Sequence, residues 1–293
     1  MGFDLKYLVV SITAIFISLG IGIFIGSNMN SDGFITDQQQ ILINSIEDKL
    51  TEYNNEHKNL IQINETLKQE IEKKDYYINT FYGKITHGRL NNINVVVIQF
   101  DDFETNYINE AVYDAGGDIV ASIKVDSKLL NLSEQELREV NRLFHYSLSY
   151  ERILDKLSFE LIDYILKGRK TALIKYALKN QYIYSSFIED NSVTPVDQII
   201  ITGGELSPNI EVSKSFISNM LESCKSNYIK VVGVETSNVE QSLIPWFIDN
   251  NISSVDNIDS LLGRLSLVMV LSGIEGNYGE TDYANDLLPL GIY

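Results

Sequence analysis

No charged residue occurs between Tyr7 and Ser31, and the stretch from Tyr7 to Ile25 is apolar almost throughout. Roughly 19 such residues match the length of a bilayer-crossing helix. A cleavable signal peptide has a shorter apolar region and a small-x-small exit. Here the exit reads Gly26-Ser27-Asn28-Met29-Asn30, without Ala-x-Ala. A buried core helix is the other alternative, but the segment has no polar face and nothing in the sequence to pack it. The pattern predicts an uncleaved anchor over residues 1–31. Ser18, Gly22 and Gly26 recur every four residues and line one helix face, as in small-xxx-small pairs; glycine is also simply frequent in membrane helices. Gly20-Ile-Gly22 with Gly26 is a near miss to a dinucleotide fingerprint, lacking both the preceding strand and the spacing.

After a break at Gly33 the pattern becomes polar, with apolar positions at steps of three and four. Ile43, Leu50, His57, Asn64, Ile71 and Ile78 form one series; Ile46, Tyr53, Leu60, Leu67, Lys74 and Phe81 form the other. Together they fill the a and d positions of six heptads, and nine of the twelve are apolar. No proline or glycine falls between Thr36 and Tyr82. The spacing predicts a coiled-coil stalk over 32–83, whose stretch from Thr36 to Tyr82 is about 70 Å long at 1.5 Å per residue. Asn64 at an a position favours two strands and fixes register. The flanking charges do little for a self-dimer: in a parallel pair Glu70 faces Asp75 and Glu56 faces Ile61. A protein partner and self-association both remain open. His57 in the seam reads as a tolerated polar layer or as a pH-sensitive one.

From residue 84 to 293 strand and helix signals alternate. Asn94 to Phe100 and Gln198 to Thr202 are continuous apolar runs, the mark of strands covered on both faces. Further strands are predicted over 118–125, 229–234 and near 254–255. Helices are predicted over 103–115, within 133–182, and over 213–226, 239–250 and 260–272. Ser133-Glu-Gln-Glu136 has the capping-box pattern. The order predicts a three-layer α/β domain, Rossmann-like or flavodoxin-like, with a mostly parallel sheet.

The charge balance changes the functional picture. With 40 acidic and 23 basic side chains the net charge is −17, which speaks against a nucleic-acid partner. A single cysteine, Cys224, leaves no internal disulfide and no multi-thiolate metal site. The histidines stand apart at 57, 87 and 145. Lys6 before the apolar span and Asp32 after it point to a cytoplasmic N-terminus, with the bulk of the chain extracytoplasmic.

In α/β folds ligands sit beyond the carboxyl ends of the strands. There the chain offers Asp101 and Asp102, Gly203-Gly204-Glu205 and Glu235-Thr236-Ser237. The glycine pair reads either as a backbone cradle for an anion or as a tight turn. Asp101 and Asp102 read as a hard-cation site or as solvated capping groups. Asp256 and Asp259, just before an apolar helix, are expected to cap it; Asn257 and Asp259 alternatively shape a pocket. Gly263 is expected to allow close helix packing, Arg264 to answer a neighbouring carboxylate, and Gly276-Asn-Tyr-Gly279 to form a turn. No P-loop, nucleophile elbow or zinc-protease signature occurs.

Leu5-Lys-Tyr-Leu-Val-Val-Ser11, Leu19-Gly-Ile-Gly-Ile-Phe-Ile-Gly-Ser27, Ser254-Val-Asp-Asn-Ile-Asp259, Gly263-Arg264, Gly276-Asn-Tyr-Gly279 and Leu288-Pro289 stand in one order along the chain. That order resembles the MctB/SteB-like family of bacterial envelope proteins over essentially the whole length. The resemblance implies a membrane helix, a coiled coil and an α/β domain, and two functions. One is copper transport or homeostasis; the other is a scaffold that binds a membrane partner. Copper(I) favours thiolate and thioether ligands and copper(II) imidazole. Met1, Met29, Met220 and Met269 are dispersed and no two histidines are neighbours. The expectation is therefore a non-enzymatic, membrane-anchored interaction protein with no cofactor of its own, copper entering through the resemblance alone. The alternatives are direct copper handling and an enzyme at the strand-end loops.

Overall fold

A computed structural model describes residues 5–29, 32–100, 102–187, 194–204, 210–239 and 241–289, with the backbone alone described at 5, 29 and 32–36. The chain divides into two compact units, Met1–Lys74 and Asp75–Tyr293.

The first helix, α1, spans Leu5–Met29, and its Lys6–Asn28 stretch is long and apolar enough to cross a membrane. Two of its hydroxyls are satisfied within the helix. Thr13 donates to the carbonyl of Val9 at 2.8 Å and Ser18 to that of Ile15 at 2.9 Å.

The second helix, α2, spans Asp32–Thr86 as one 55-residue element, about 80 Å at 1.5 Å per residue. The expected break at Gly33 falls inside its first turn, and Gly83 falls inside its last. Interior glycine costs roughly 1 kcal/mol; beyond Gly83 the helix is held by packing, because Tyr82 lies buried with Leu265 and Met269, and Ile85 packs on them. The helix ends instead at Gly88, whose φ of +72° suits a residue without Cβ.

The second unit is built on a seven-stranded sheet in the order β3-β2-β1-β4-β5-β6-β7. The strands are β1 (Asn94–Phe100), β2 (Asp118–Val125), β3 (Ile183–Phe187), β4 (Gln198–Thr202), β5 (Lys230–Val234), β6 (Ser253–Val255) and β7 (Asn277–Tyr278). All pairings are parallel except β2 with β3. Successive side chains point to opposite faces. Val96, Ile98, Ile199 and Ile201 enter a core under α4 (Glu134–Phe144), α5 (Tyr150–Lys167), α6 (Ala172–Lys179), α7 (Ile210–Ser226) and α8 (Ile244–Asp249). Val95, Val97 and Ile200 enter a second core under α3 (Asn106–Asp114) and α9 (Leu261–Leu271). The expected α/β layering with a mostly parallel sheet is what the chain forms.

The local signals resolve as follows. Ser133 and Glu136 form the capping box on α4, with Ser133 Oγ accepting from the Glu136 N–H and Glu136 from that of Ser133. The helix expected from Val239 begins only at Ile244, with Pro245 in the first turn where its missing N–H costs nothing. Gly276-Asn-Tyr-Gly279 is not a free turn: Asn277 and Tyr278 pair in parallel with Ser254 and Val255 as β7. β3 went unpredicted.

Candidate functional site

The carboxyl ends of β4, β5 and β6 bring three strand-end segments together around Glu235. Its carboxylate is buried. Oε1 accepts from the N–H of Leu243 at 2.5 Å, and Oε2 from the hydroxyl of Ser242 at 2.7 Å. Its own N–H donates to the carbonyl of Val255 and its carbonyl accepts from the N–H of Ile258, tying the residue to β6. Burial pushes the carboxyl up to about 7; the two hydrogen bonds pull it down, and the nearby charge of Asp256 raises it again.

Gly203 and Gly204 make room for this carboxylate and for the loop behind it. A Cβ on Gly203 would lie 2.6 Å from Glu235 Oε1, and one on Gly204, whose φ is +93°, would lie 2.2 Å from Val239 Cγ1. The N–H of Gly203 donates to the carbonyl of Val234 at 2.8 Å, so it is not free to cradle an anion. Glu205 lies outside the described residues.

Asp256 does not cap α9. Its Oδ1 accepts from the N–H of Glu280 at 2.7 Å, and its Oδ2 from the N–H of Thr281 at 3.0 Å and from the Thr281 hydroxyl. Asp259 accepts from the N–H and hydroxyl of Ser237 at 2.7 and 3.0 Å. The cap is Ser260, whose Oγ accepts from the Gly263 N–H at 2.9 Å, because the N-cap is the residue next to the first turn and both aspartates precede it. They fasten loops to one another instead. Asn257 is fully buried beside them; its Nδ2 donates to Glu280 at 3.2 Å, while its Oδ1 has no partner among the described residues. Gly263 admits close approach, since a Cβ there would meet the carbonyl oxygen of Asn257 at 1.9 Å. Arg264 answers Glu110 on α3 at 2.5 Å.

Of the other predicted residues, Asp101 lies outside the described residues. Asp102 is exposed and ion-paired with Lys124, which holds its carboxyl below the usual range through that hydrogen bond and the lysine charge. On α2, Ile46, Leu50, Leu60, Asn64, Leu67 and Ile71 are all exposed. On α1, a Cβ added at Gly22 or Gly26 would meet nothing within 4 Å. Ser242, Glu280 and Thr281 escaped the sequence reading, for nothing local marks them.

Among the described residues no three histidine, cysteine, aspartate or glutamate side chains converge as metal ligands. Met220 and Cys224 lie in the core under α7, and Met269 lies against Tyr82 and Leu265. Burial pushes the Cys224 thiol up to about 12, away from the thiolate that binds metal. His57 stacks on Tyr53 along α2, and His145 terminates α4 in a left-handed conformation. Apart from Met220 and Cys224, which share α7, these soft and imidazole donors sit on separate elements.

No curated protein matches the chain. A family model described as "Copper transport outer membrane protein, MctB" matches residues 3–289, nearly the whole length, and the chain belongs to that family.

Proposed function

We propose that the chain is a single-pass envelope protein that serves copper transport as a non-enzymatic scaffold, acting through α2. In this reading α1 anchors it, residues before the span face the cytoplasm, and α2 and a Rossmann-like head lie outside. The family supports the link to copper transport in the envelope. The observation that carries the scaffold reading is the row Ile46, Leu50, Leu60, Leu67 and Ile71, exposed on a helix that otherwise reads polar. A heptad-spaced apolar row is stable in water when another helix covers it.

Direct copper handling by this chain is the second reading, favoured by the family's description. The burial of Met220, Met269 and Cys224 speaks against it. The strand-end carboxylates likewise support a structural role, because Glu235, Asp256 and Asp259 are occupied by loop N–H and hydroxyl groups.

The test is Leu60→Asp with Leu67→Asp in the full chain, comparing complex size in solubilised membranes. The scaffold reading expects the complex to disappear with anchor and head intact. A complex of unchanged size refutes it.

A further inference from the structure

We infer that the surface covering the α2 seam is α2 of a second copy of this chain, parallel and in register; this rests on the scaffold reading above. Three observations support it, of which the first favours a copy over a different protein and the other two show that the seam is built to be covered by one helix in one register. The first is the chemistry of the polar seam positions. His57 and Asn64 both fall at a positions and both are exposed. Each carries a donor and an acceptor: an amide offers N–H and C=O, and a neutral imidazole offers one nitrogen of each kind. Such groups satisfy themselves across a two-fold axis, where an aspartate or a lysine would meet its own charge. Lys74 is the exception, a d position with Ile78 and Phe81 beyond it, where two copies bring like charges together; the self-matching seam therefore runs from Ile43 to Ile71.

The second is the shielding of Asn64. Ile61 and Ile63 fall at the flanking e and g positions and are 47% and 46% exposed. Packed beside the seam they exclude water from the Asn64 layer, so that an unmatched register would bury an amide without a partner. That makes the layer a register pin.

The third is area. Ile43, Ile46, Leu50, Tyr53, Leu60, Leu67 and Ile71 are each between 48% and 65% exposed. One copy then brings roughly 800 Å² of seam and a pair roughly 1,600 Å², the size of a specific, stable interface. Two copies anchored in one membrane begin their stalks at the same height, which excludes the antiparallel arrangement. The opposed contacts, Glu70 against Asp75 of the other copy and Lys74 against its own counterpart, lie at the far end of the stretch from Ile43 to Ile71.

The experiment uses the full chain in membranes, with a size-tagged and an untagged form expressed together. Single cysteines are introduced at the d positions by Ile46→Cys or Leu60→Cys, and at the outer f position by Gln62→Cys, and bridged with a short bis-maleimide. The native Cys224 thiol is buried and serves as background. A parallel pair gives the tagged–untagged hybrid from Ile46→Cys and Leu60→Cys, at least tenfold more than from Gln62→Cys. Asn64→Ile is expected to add species larger than pairs; pairs alone would overturn the role given to Asn64. Bridging at Leu60→Cys to a different protein, without the hybrid, overturns the second copy while leaving the scaffold reading intact. Absence of every seam product overturns both.

Discussion

Gly203 and Glu235 approach so closely that a methyl group does not fit between them: a Cβ on Gly203 would stand 2.6 Å from Glu235 Oε1 and 3.2 Å from Leu243 Cβ. The end of β4 is thereby pressed on a buried carboxylate, and the glycine is a packing requirement. Gly203→Ala should destabilise the head by about 1–3 kcal/mol, the usual range for overpacking a filled site. Gly83→Ala, where a Cβ would meet nothing within 4 Å inside a helix, should be neutral or stabilising by up to roughly 1 kcal/mol. Thermal unfolding of the two full-length variants by near-ultraviolet circular dichroism separates these outcomes.

The raised Glu235 carboxyl makes stability depend on pH. Its folded value of about 7 lies above the ordinary 4.5, so the folded state holds a proton that the unfolded state releases first. The contribution is complete below about pH 4.5 and is lost as pH rises through about 7. At 1.36 kcal/mol per pH unit of displacement the loss is on the order of 3 kcal/mol. Glu235→Gln keeps an acceptor for Leu243 N–H and an amide for Ser242 without the charge. The variant should match the wild type near pH 4.5 and exceed it in denaturant midpoint near pH 8. Parallel midpoints across that range would remove the assignment.

Asp256→Asn should release the segment after β7. Asp256 receives two N–H groups and a hydroxyl from Glu280 and Thr281, and an amide nitrogen would face donors with a donor. A loss of about 1–3 kcal/mol is expected, together with faster hydrogen exchange at Glu280 and Thr281. Unchanged exchange at those two amides would show that the carboxylate does not hold the loop.

Much of the fold is legible because the decisive signals are local. β1 and β4 are buried on both faces, so Val95–Ile98 and Ile199–Ile201 are uninterrupted apolar runs, and Ser133-x-x-Glu136 carries its own cap. β3 is antiparallel at a sheet edge and reads Ile-Tyr-Ser-Ser-Phe, half polar because one side meets solvent. β7 is two residues long between glycines, and only pairing with β6 makes it a strand. The site was half legible for the same reason. Glu235 stands visibly after an apolar strand, but its burial depends on Gly203 and on Ser242 and Leu243 from elsewhere in the chain. Asp256 looked like a helix cap because its partners, Glu280 and Thr281, are more than twenty residues away.

A metal titration probes the soft ligands directly. The full chain in detergent, titrated calorimetrically with copper(I) and copper(II), should show no tight stoichiometric uptake, because Cys224, Met220 and Met269 are buried and the thiol stays protonated near neutral pH. Stoichiometric copper that disappears in Cys224→Ala would reinstate direct binding.

The most direct measurement of the scaffold account is copper tolerance of cells lacking the chain and complemented with three versions of it. One is wild type, one carries Leu60→Asp with Leu67→Asp, and one carries Met220→Leu, Cys224→Ala and Met269→Leu, near volume-conserving changes that a core accepts. The account predicts that the seam version fails to restore tolerance while the version without soft ligands restores it. Restoration by the seam version and failure of the other would contradict it.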